Sequence, residues 1–179
     1  MNKILLLDRD GIINQDSLHY IKSVDEFIPI PGSIAAIARL TQAGYQIGIA
    51  TNQSGIARGL YTAQLLTDIH DQLLQLVRAQ GGDIHAIEYC AHLPDAGCLC
   101  RKPQPGMLYA LSKRLGVKLN HSTPFVGDRV SDIQAALTAG IQPIMVVSPM
   151  TDQLALSAYP NVPIFSSLSD WVDAFLLES

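Results

Sequence analysis

Short apolar runs alternate along this chain with longer stretches in which apolar residues return every three or four positions. Lys3–Asp8 holds Ile4, Leu5, Leu6 and Leu7 without a polar break, which reads as a buried strand. Gly32–Gly44 reads as a helix with Ile34, Ile37, Ala38 and Leu40 on one face, and Gln46–Thr51 as a second strand. Thr62–Gln80 is a long amphipathic helix, with Thr62 placed to cap it and Leu65, Leu66, Ile69, Leu73, Leu76 and Val77 turned inward. A strand at Ile87–Cys90 leads into an irregular loop as far as Pro105. Helix Gly106–Gly116, strand Pro124–Asp128, helix Val130–Ala139 closed by Gly140, and strand Pro143–Val147 follow. A weak strand at Val162–Phe165 and a last helix at Ser169–Leu177 complete the pattern. Repeated strand-then-helix units predict an α/β fold, a doubly wound, mostly parallel sheet covered on both faces. Repeats, low-complexity tracts and linkers are missing, so residues 1–179 are expected to form a single domain.

Composition changes this picture little. A chain of 179 residues suits one domain that buries roughly 70% of its unfolded surface. At 48% hydrophobic and 16% charged residues it has the makeup of a soluble globular protein with a generous core. The net charge of −4 gives no basic field to attract nucleic acid. No apolar run approaches the roughly 18 residues that span a bilayer, and no basic segment precedes one. The expectation is a cytoplasmic monomer with neither nucleic acid nor membrane as partner.

The chemistry gathers where strands end. The first strand ends in Asp8-Arg9-Asp10-Gly11, the second in Thr51-Asn52-Gln53-Ser54-Gly55, and a later one in Gly127-Asp128-Arg129 with Asp132 a helical turn on. Ligands of open α/β sheets bind outside the carboxyl ends of the strands, so these groups are expected on one rim. Asp8 and Asp10 are two positions apart, so in an extended segment both carboxylates reach the same side. One can attack or hold a cation while the other moves a proton, although an Asp after a buried strand also serves as a plain turn residue. Asp8, Asp10 and Asp128 form an all-oxygen set suited to Mg²⁺. The Thr51 hydroxyl, the turn amides of Asn52, Gln53, Ser54 and Gly55, and the Lys102 ammonium add donors for phosphate oxygens. Metal, hydroxyl, amides and Lys around one oxyanion are what phosphoryl transfer needs.

The three cysteines all lie within Cys90–Cys100 and cannot pair fully with one another. With His92 they form Cys90-x-His92-x5-Cys98-x-Cys100, three thiolates and an imidazole suited to structural Zn²⁺ in a clasped loop rather than a finger. Three free buried cysteines and a chance histidine are the plain alternative. Arg101 and Lys102 follow the last ligand directly, so zinc would fix the reach of both cations. Of the other histidines, His70, His85 and His121 read as packed or solvated, while His19 and Tyr20 sit in a loop that can meet substrate.

Taken in order, Asp8-x-Asp10-Gly11, Thr51, Lys102 and Gly127-Asp128-x-x-x-Asp132 resemble the four motifs of the haloacid dehalogenase superfamily of phosphatases, over about Lys3 to Gly140. That resemblance implies Asp8 as nucleophile forming an aspartyl-phosphate, and Asp10 as acid and then base. It implies Thr51 and Lys102 as holders of the phosphoryl oxygens, Mg²⁺ on the Asp8 carboxylate, the Asp10 carbonyl and Asp128, and Asp132 as a supporting residue behind them. The stretch Thr51–Gly59 and the Cys/His loop resemble, within it, the subgroup of heptose-bisphosphate and histidinol-phosphate phosphatases. The heptose branch implies removal of the 7-phosphate of a heptose 1,7-bisphosphate, for ADP-heptose and the lipopolysaccharide core. The histidinol-phosphate branch, in histidine biosynthesis, stands as the alternative. The resemblance implies that Arg101 and Arg129 meet the unreacted phosphate or sugar oxygens. Asp16-Ser17-Leu18-His19-Tyr20 departs from the subgroup's Asp-His-Gly-Tyr form and is one residue longer. Motif spacing leaves no room for a large lid, so Asp16–Tyr20, Ile56–Leu60 and the zinc loop are expected to wall an open site. A phosphotransferase would need water excluded from that site, and a non-catalytic zinc-stabilised binding module would have no use for Asp8, Asp10 and Lys102 together.

Overall fold

The structure, a computed structural model, describes residues 3–178. Among the described residues, six strands form one sheet: β1 (Ile4–Leu7), β2 (Gln46–Asn52), β3 (Ala86–Cys90), β4 (Pro124–Gly127), β5 (Gln142–Val146) and β6 (Ile164–Phe165). Their spatial order is β3-β2-β1-β4-β5-β6, and every neighbouring pair runs parallel. The helices are α1 (Ser33–Gln42), α2 (Ala63–Ala79), α3 (Gly106–Leu115), α4 (Val130–Thr138), α5 (Gln153–Leu156) and α6 (Leu168–Leu177). The doubly wound architecture read from the sequence is the one observed.

The unbroken apolar run of β1 follows from its central place, because both faces of that strand are covered. Leu5 and Leu7 point with Ile47 and Ile49 into a core shared with Ile37 of α1, Leu73 of α2 and Trp171 of α6. Ile4 and Leu6 point the other way, with Ala50 and Phe125, against Leu108 and Leu111 of α3 and Ala135 and Ala136 of α4. Burying each larger aliphatic side chain contributes roughly 1.5–3 kcal/mol. The strand order reverses at β1, which has β2 on one side and β4 on the other. The three motif-bearing strand ends are therefore neighbours, at the position where such sheets bind ligands.

One local reading changes. The inward stripe of α2 is Leu66, Ile69, His70, Leu73 and Val77, a complete set at helical spacing. Leu65 falls on its flank and is 37% exposed, while His70 takes a core position. The Thr62 cap holds, its hydroxyl oxygen accepting from the Leu65 N–H at 3.2 Å. The single turn of α5 and a 3₁₀ turn at Val24–Glu26 are too short to show a period in the sequence.

Candidate active site

At the end of β1 the chain turns sharply, with the Ile13 N–H and Gly11 N–H donating to the Arg9 and Asn14 carbonyls, both at 2.8 Å. Gly11 has φ +81°, and a Cβ there would lie 2.2 Å from Asp128 Oδ2. Only glycine lets the Asp128 carboxylate sit this close to the turn. Asp8 Oδ1 accepts from the Arg9 N–H at 2.7 Å and pairs with Lys102 Nζ at 2.9 Å. Lys102 Nζ also pairs with Asp132 Oδ1 at 2.7 Å and donates to the Ala50 carbonyl at 2.8 Å. Burial pulls the Lys102 ammonium down, but Asp132 and Asp8 outweigh it and hold it above its ordinary range.

One ammonium does not balance three carboxylates. Oxygens of Asp8, Asp128 and Asp132 lie within 4.8 Å of one another, and all three residues are buried. Burial raises Asp8 well above the usual carboxylate range; Lys102 pulls it back, and Asp132, Asp128 and Asp10 add to the rise. Burial and Asp132 together lift Asp128 to about 7. Asp132 is held in place, its Oδ2 accepting from the Arg129 N–H at the start of α4 at 2.9 Å. Asp128 Oδ2 accepts from Ser148 Oγ at 2.6 Å, and the Asp128 carbonyl from Thr151 Oγ1 at 2.7 Å, whereas the buried Asp128 Oδ1 has no partner. A hard divalent cation suits this donor set, since it would fill the empty place at Asp128 Oδ1 and return the carboxylates to their ionised form.

Asp10 lies in a different field. Its Oδ1 accepts from Arg9 Nε at 2.9 Å, Arg9 Nη2 at 2.8 Å and Asn14 Nδ2 at 2.9 Å, and its Oδ2 from Gln53 Nε2 at 3.0 Å. Burial pushes this carboxyl up, but the Arg9 charge and these hydrogen bonds outweigh it and hold it below the usual range. Gln53 Nε2 also donates to Thr51 Oγ1 at 2.9 Å, and Gln53 Oε1 accepts from the Tyr61 hydroxyl at 2.5 Å. The Tyr61 ring leaves no space above Gly55, where a Cβ would meet Cε1 at 2.1 Å. Thus Gln53, expected to touch substrate, joins Thr51 to Asp10.

The four predicted zinc ligands come together. Cys90 Sγ is 3.3 Å from His92 Nδ1, 3.7 Å from Cys98 Sγ and 3.2 Å from Cys100 Sγ, which is in turn 3.2 Å from His92 Nδ1. Thiolates about 2.3 Å and imidazoles about 2.0 Å from a tetrahedral ion stand roughly 3.5–3.8 Å apart, close to this spacing. Burial lifts the Cys90 thiol to about 12, while the Arg101 N–H draws the half-buried Cys98 thiol down to about 7. Asn52, also expected to touch substrate, grips the main chain of this loop. Its Oδ1 accepts from the Lys102 N–H at 3.0 Å, and its Nδ2 donates to the Lys102 carbonyl at 3.1 Å.

A cavity of about 800 Å³ opens over these residues, lined by Asp8, Asp10, Thr51, Lys102 and Asp128 at its floor. Asp16, Tyr20, Asn52, Gln53, Ser54, Arg101 and Arg129 also line it. Arg129 Nη2 meets Asp16 Oδ2 at 2.7 Å, closing an ion pair between the loop after β1 and the start of α4. His19 does not line the cavity; its N–H donates to Ser17 Oγ and its carbonyl accepts from Lys22 Nζ. The Ile56–Leu60 segment is likewise absent from the walls; it is folded into turns in which the Gly59 N–H donates to the Ile56 carbonyl and the Leu60 N–H to the Gly55 carbonyl. Pro94, Gly97 and Cys98 of the Cys/His loop do form one wall.

Sequence reasoning passed over Arg9, Asn14, Tyr61, Ser148 and Thr151. Arg9 lies between the two carboxylates and Asn14 four residues after Asp10, so a cation inside an acidic motif was a readable signal. Ser148 and Thr151 follow β5 in a loop with no periodicity, and nothing in the chain points from them to Asp128.

A family model for haloacid dehalogenase-like hydrolases matches residues 2–140. The chain belongs to the haloacid dehalogenase-like hydrolase family. The Pseudomonas putida enzyme D-glycero-β-D-manno-heptose-1,7-bisphosphate 7-phosphatase is 52% identical over 168 residues, 93% of this chain and 95% of its own length. The Pseudomonas aeruginosa enzyme of the same name is 54% identical over 143 residues, 80% of each chain. The crystal structure of D,D-heptose 1,7-bisphosphate phosphatase from B. bronchiseptica, complexed with magnesium and phosphate, matches with a TM-score of 0.91, at 42% identity over 99% of both chains. This family member is thus a hydrolase whose near full-length relatives are phosphatases. No helix among the described residues is long and apolar enough to cross a membrane.

Proposed function

We propose that the chain removes the 7-phosphate of D-glycero-β-D-manno-heptose 1,7-bisphosphate in the cytoplasm, supplying the route to ADP-heptose and the lipopolysaccharide core. The observation that carries this reading is the near full-length match to enzymes of that name, at 52% identity over 93% of the chain. Both relatives named above act on the β anomer, which favours that anomer here. The same matches weigh against the histidinol-phosphate alternative. The whole chain then acts as one phosphatase domain, and its substrate partner is a small phosphorylated sugar.

Asp8 is the nucleophile. Its carboxylate attacks phosphorus, an aspartyl-phosphate forms, and the P–O bond to the sugar breaks with its electron pair passing to the sugar oxygen. Asp10 gives that oxygen a proton, and the proton comes from Oδ2, because three donors already occupy Oδ1. The arriving phosphate dianion raises the proton affinity of Asp10, so an otherwise ionised carboxyl can carry the proton into the first step. Asp10 then takes a proton from water, which attacks phosphorus and frees Asp8 and inorganic phosphate. Lys102 and the Thr51 hydroxyl hold the phosphoryl oxygens. Asp8, the Asp10 carbonyl and Asp128 would hold Mg²⁺, with Asp132 supporting Lys102 and the start of α4. Bound there, magnesium would supply positive charge to the phosphoryl oxygens.

Cys90, His92, Cys98 and Cys100 would hold a structural Zn²⁺, keeping Arg101 and Lys102 on the cavity wall. Arg101, Arg129, Asp16, Tyr20 and Ser54 are the groups left to meet the sugar and its second phosphate. Asn52 and Gln53 act through Lys102 and Asp10, and His19 stands outside. An open cavity suits hydrolysis rather than transfer to a second sugar, since water reaches the intermediate.

Phosphate-release kinetics on both heptose bisphosphate anomers, histidinol phosphate and fructose 1,6-bisphosphate test the proposal. The β anomer should give the highest kcat/KM, and a preference for histidinol phosphate would overturn it.

A further inference from the structure

The Arg9 side chain is fully buried, although an isolated guanidinium costs several kcal/mol to remove from water. Its three nitrogens are all engaged. Nε and Nη2 hold Asp10 Oδ1, and Nη1 lies 3.2 Å from His70 Nε2. Its carbon centre stands 6.0 Å from the Phe27 ring centroid. His70 is the polar member of the otherwise aliphatic stripe of α2, and is 8% exposed. Burial and the Arg9 charge push its imidazole down to about 3, so near neutral pH it is uncharged. A neutral ring facing a permanent donor must present the Nε2 lone pair, with its proton on Nδ1.

We infer that His70 and Arg9 are positioning residues for proton transfer: His70 fixes the guanidinium, and the guanidinium saturates Asp10 Oδ1 so that Oδ2 alone handles the proton. The inference rests on the reading of Asp10 as the proton-transfer group. It assigns a part in the reaction to a helix face that lies behind the site. If the pair were only a staple between α2 and the turn after β1, weakening it would lower stability and slow every substrate alike. If it aims Asp10, the damage concentrates on substrates whose leaving oxygen needs a proton.

The test compares the magnesium-loaded wild type with His70→Leu, His70→Gln and Asp10→Asn, on heptose bisphosphate and on nitrophenyl phosphate, together with thermal midpoints. A sugar alkoxide needs protonation to leave, and nitrophenolate does not. His70→Leu should lower kcat for the sugar ester about tenfold more than for the aryl ester, part of the hundredfold or more that a positioned acid provides, with KM little changed. His70→Gln, whose side-chain oxygen can accept from Arg9 Nη1, should recover most of that difference. Should His70→Leu not fold, His70→Ala is read in the same way. Equal losses on both esters, or no recovery with Gln at the same thermal midpoint, overturn the inference. Asp10→Asn separates the two failures. If it slows the sugar ester selectively and His70→Leu does not, only this inference falls; if it does not, the Asp10 reading falls and takes the inference with it.

Discussion

The side-chain amide of Asn52 closes a two-point hydrogen bond on the main chain of Lys102, at 3.0 and 3.1 Å, across fifty residues of sequence. This joins the end of β2 to the chain two residues beyond Cys100, the last of the proposed zinc ligands. The Lys102 ammonium is then reached by a backbone held at both ends. Asn52→Ala removes both bonds, at a cost of about 1–2 kcal/mol in stability. It should also lower kcat by about tenfold or more, because an ångström of drift in a charged group costs up to roughly a hundredfold. Steady-state kinetics beside a urea unfolding curve checks this. Loss of stability with kcat intact would mean that the clamp serves the fold alone.

Asp8→Asn keeps the shape of the side chain and removes the nucleophile. Turnover should fall by about a thousandfold or more, as nucleophile loss normally costs several orders of magnitude. The circular dichroism spectrum should not change. An aspartyl-phosphate trapped by rapid quench in the wild type and missing in the variant would place the covalent step on this residue.

Much of this site was legible because the chemistry sits at strand ends. The strand pattern alone predicts that Asp8, Thr51 and Asp128 share a rim, and the order of β2, β1 and β4 delivers that. The Cys90, His92, Cys98 and Cys100 set was equally readable, since eleven residues can only fold back so far. Roles within the site were less readable. In the sequence the amides after Thr51 read as facing a phosphate, but nothing there shows that the Asn52 and Gln53 side chains hold Lys102, Thr51 and Asp10. Spacing shows that a residue lies near a site but not which neighbour takes its hydrogen bonds. His70 shows the same limit, because α2 reads as amphipathic whether or not one inward position is polar.

Asp128, lifted to about 7, predicts how magnesium and pH interact. A carboxyl whose folded value lies above its unfolded value binds more protons when folded, so it favours the fold at low pH. That contribution is lost as pH rises through the folded value. The metal-free protein should therefore lose stability through this group as pH rises from roughly 4 to 8. Magnesium competes with the proton, so it should raise the thermal midpoint more at pH 8 than at pH 6. Asp128→Asn should flatten both trends. Thermal scans across that range with and without magnesium decide it, and a magnesium effect independent of pH would refute the placement of the ion on Asp128.

Cys98→Ser should release or loosen the proposed zinc without touching Asp8 or Asp10. The expected outcome is a higher KM and a lower kcat together, since the Arg101 N–H bonds to Cys98 and Lys102 follows directly. Elemental analysis of protein purified without chelator should find one zinc per chain in the wild type and less in the variant. Magnesium should be removable by a hard-cation chelator that leaves zinc in place, because thiolates hold zinc far more tightly. Wild-type protein free of zinc would sink the assignment of the Cys/His cluster.

Arg101 provides the sharpest test of the bisphosphate itself. Arg101 lines the cavity wall, and among the described residues its guanidinium makes one long contact, from Nη1 to the His92 carbonyl at 3.4 Å, so it can turn toward an incoming anion. Arg129 is less free, being paired with Asp16 at 2.7 Å. If Arg101 meets the phosphate that is not cleaved, Arg101→Ala should cost about 1.5–3 kcal/mol on the bisphosphate, or roughly tenfold to over a hundredfold in kcat/KM. A heptose 7-monophosphate lacks the second anion and should lose far less. Equal losses on both substrates would instead assign Arg101 to the reacting phosphate or to the loop, and the preference for a bisphosphate would have to come from Arg129.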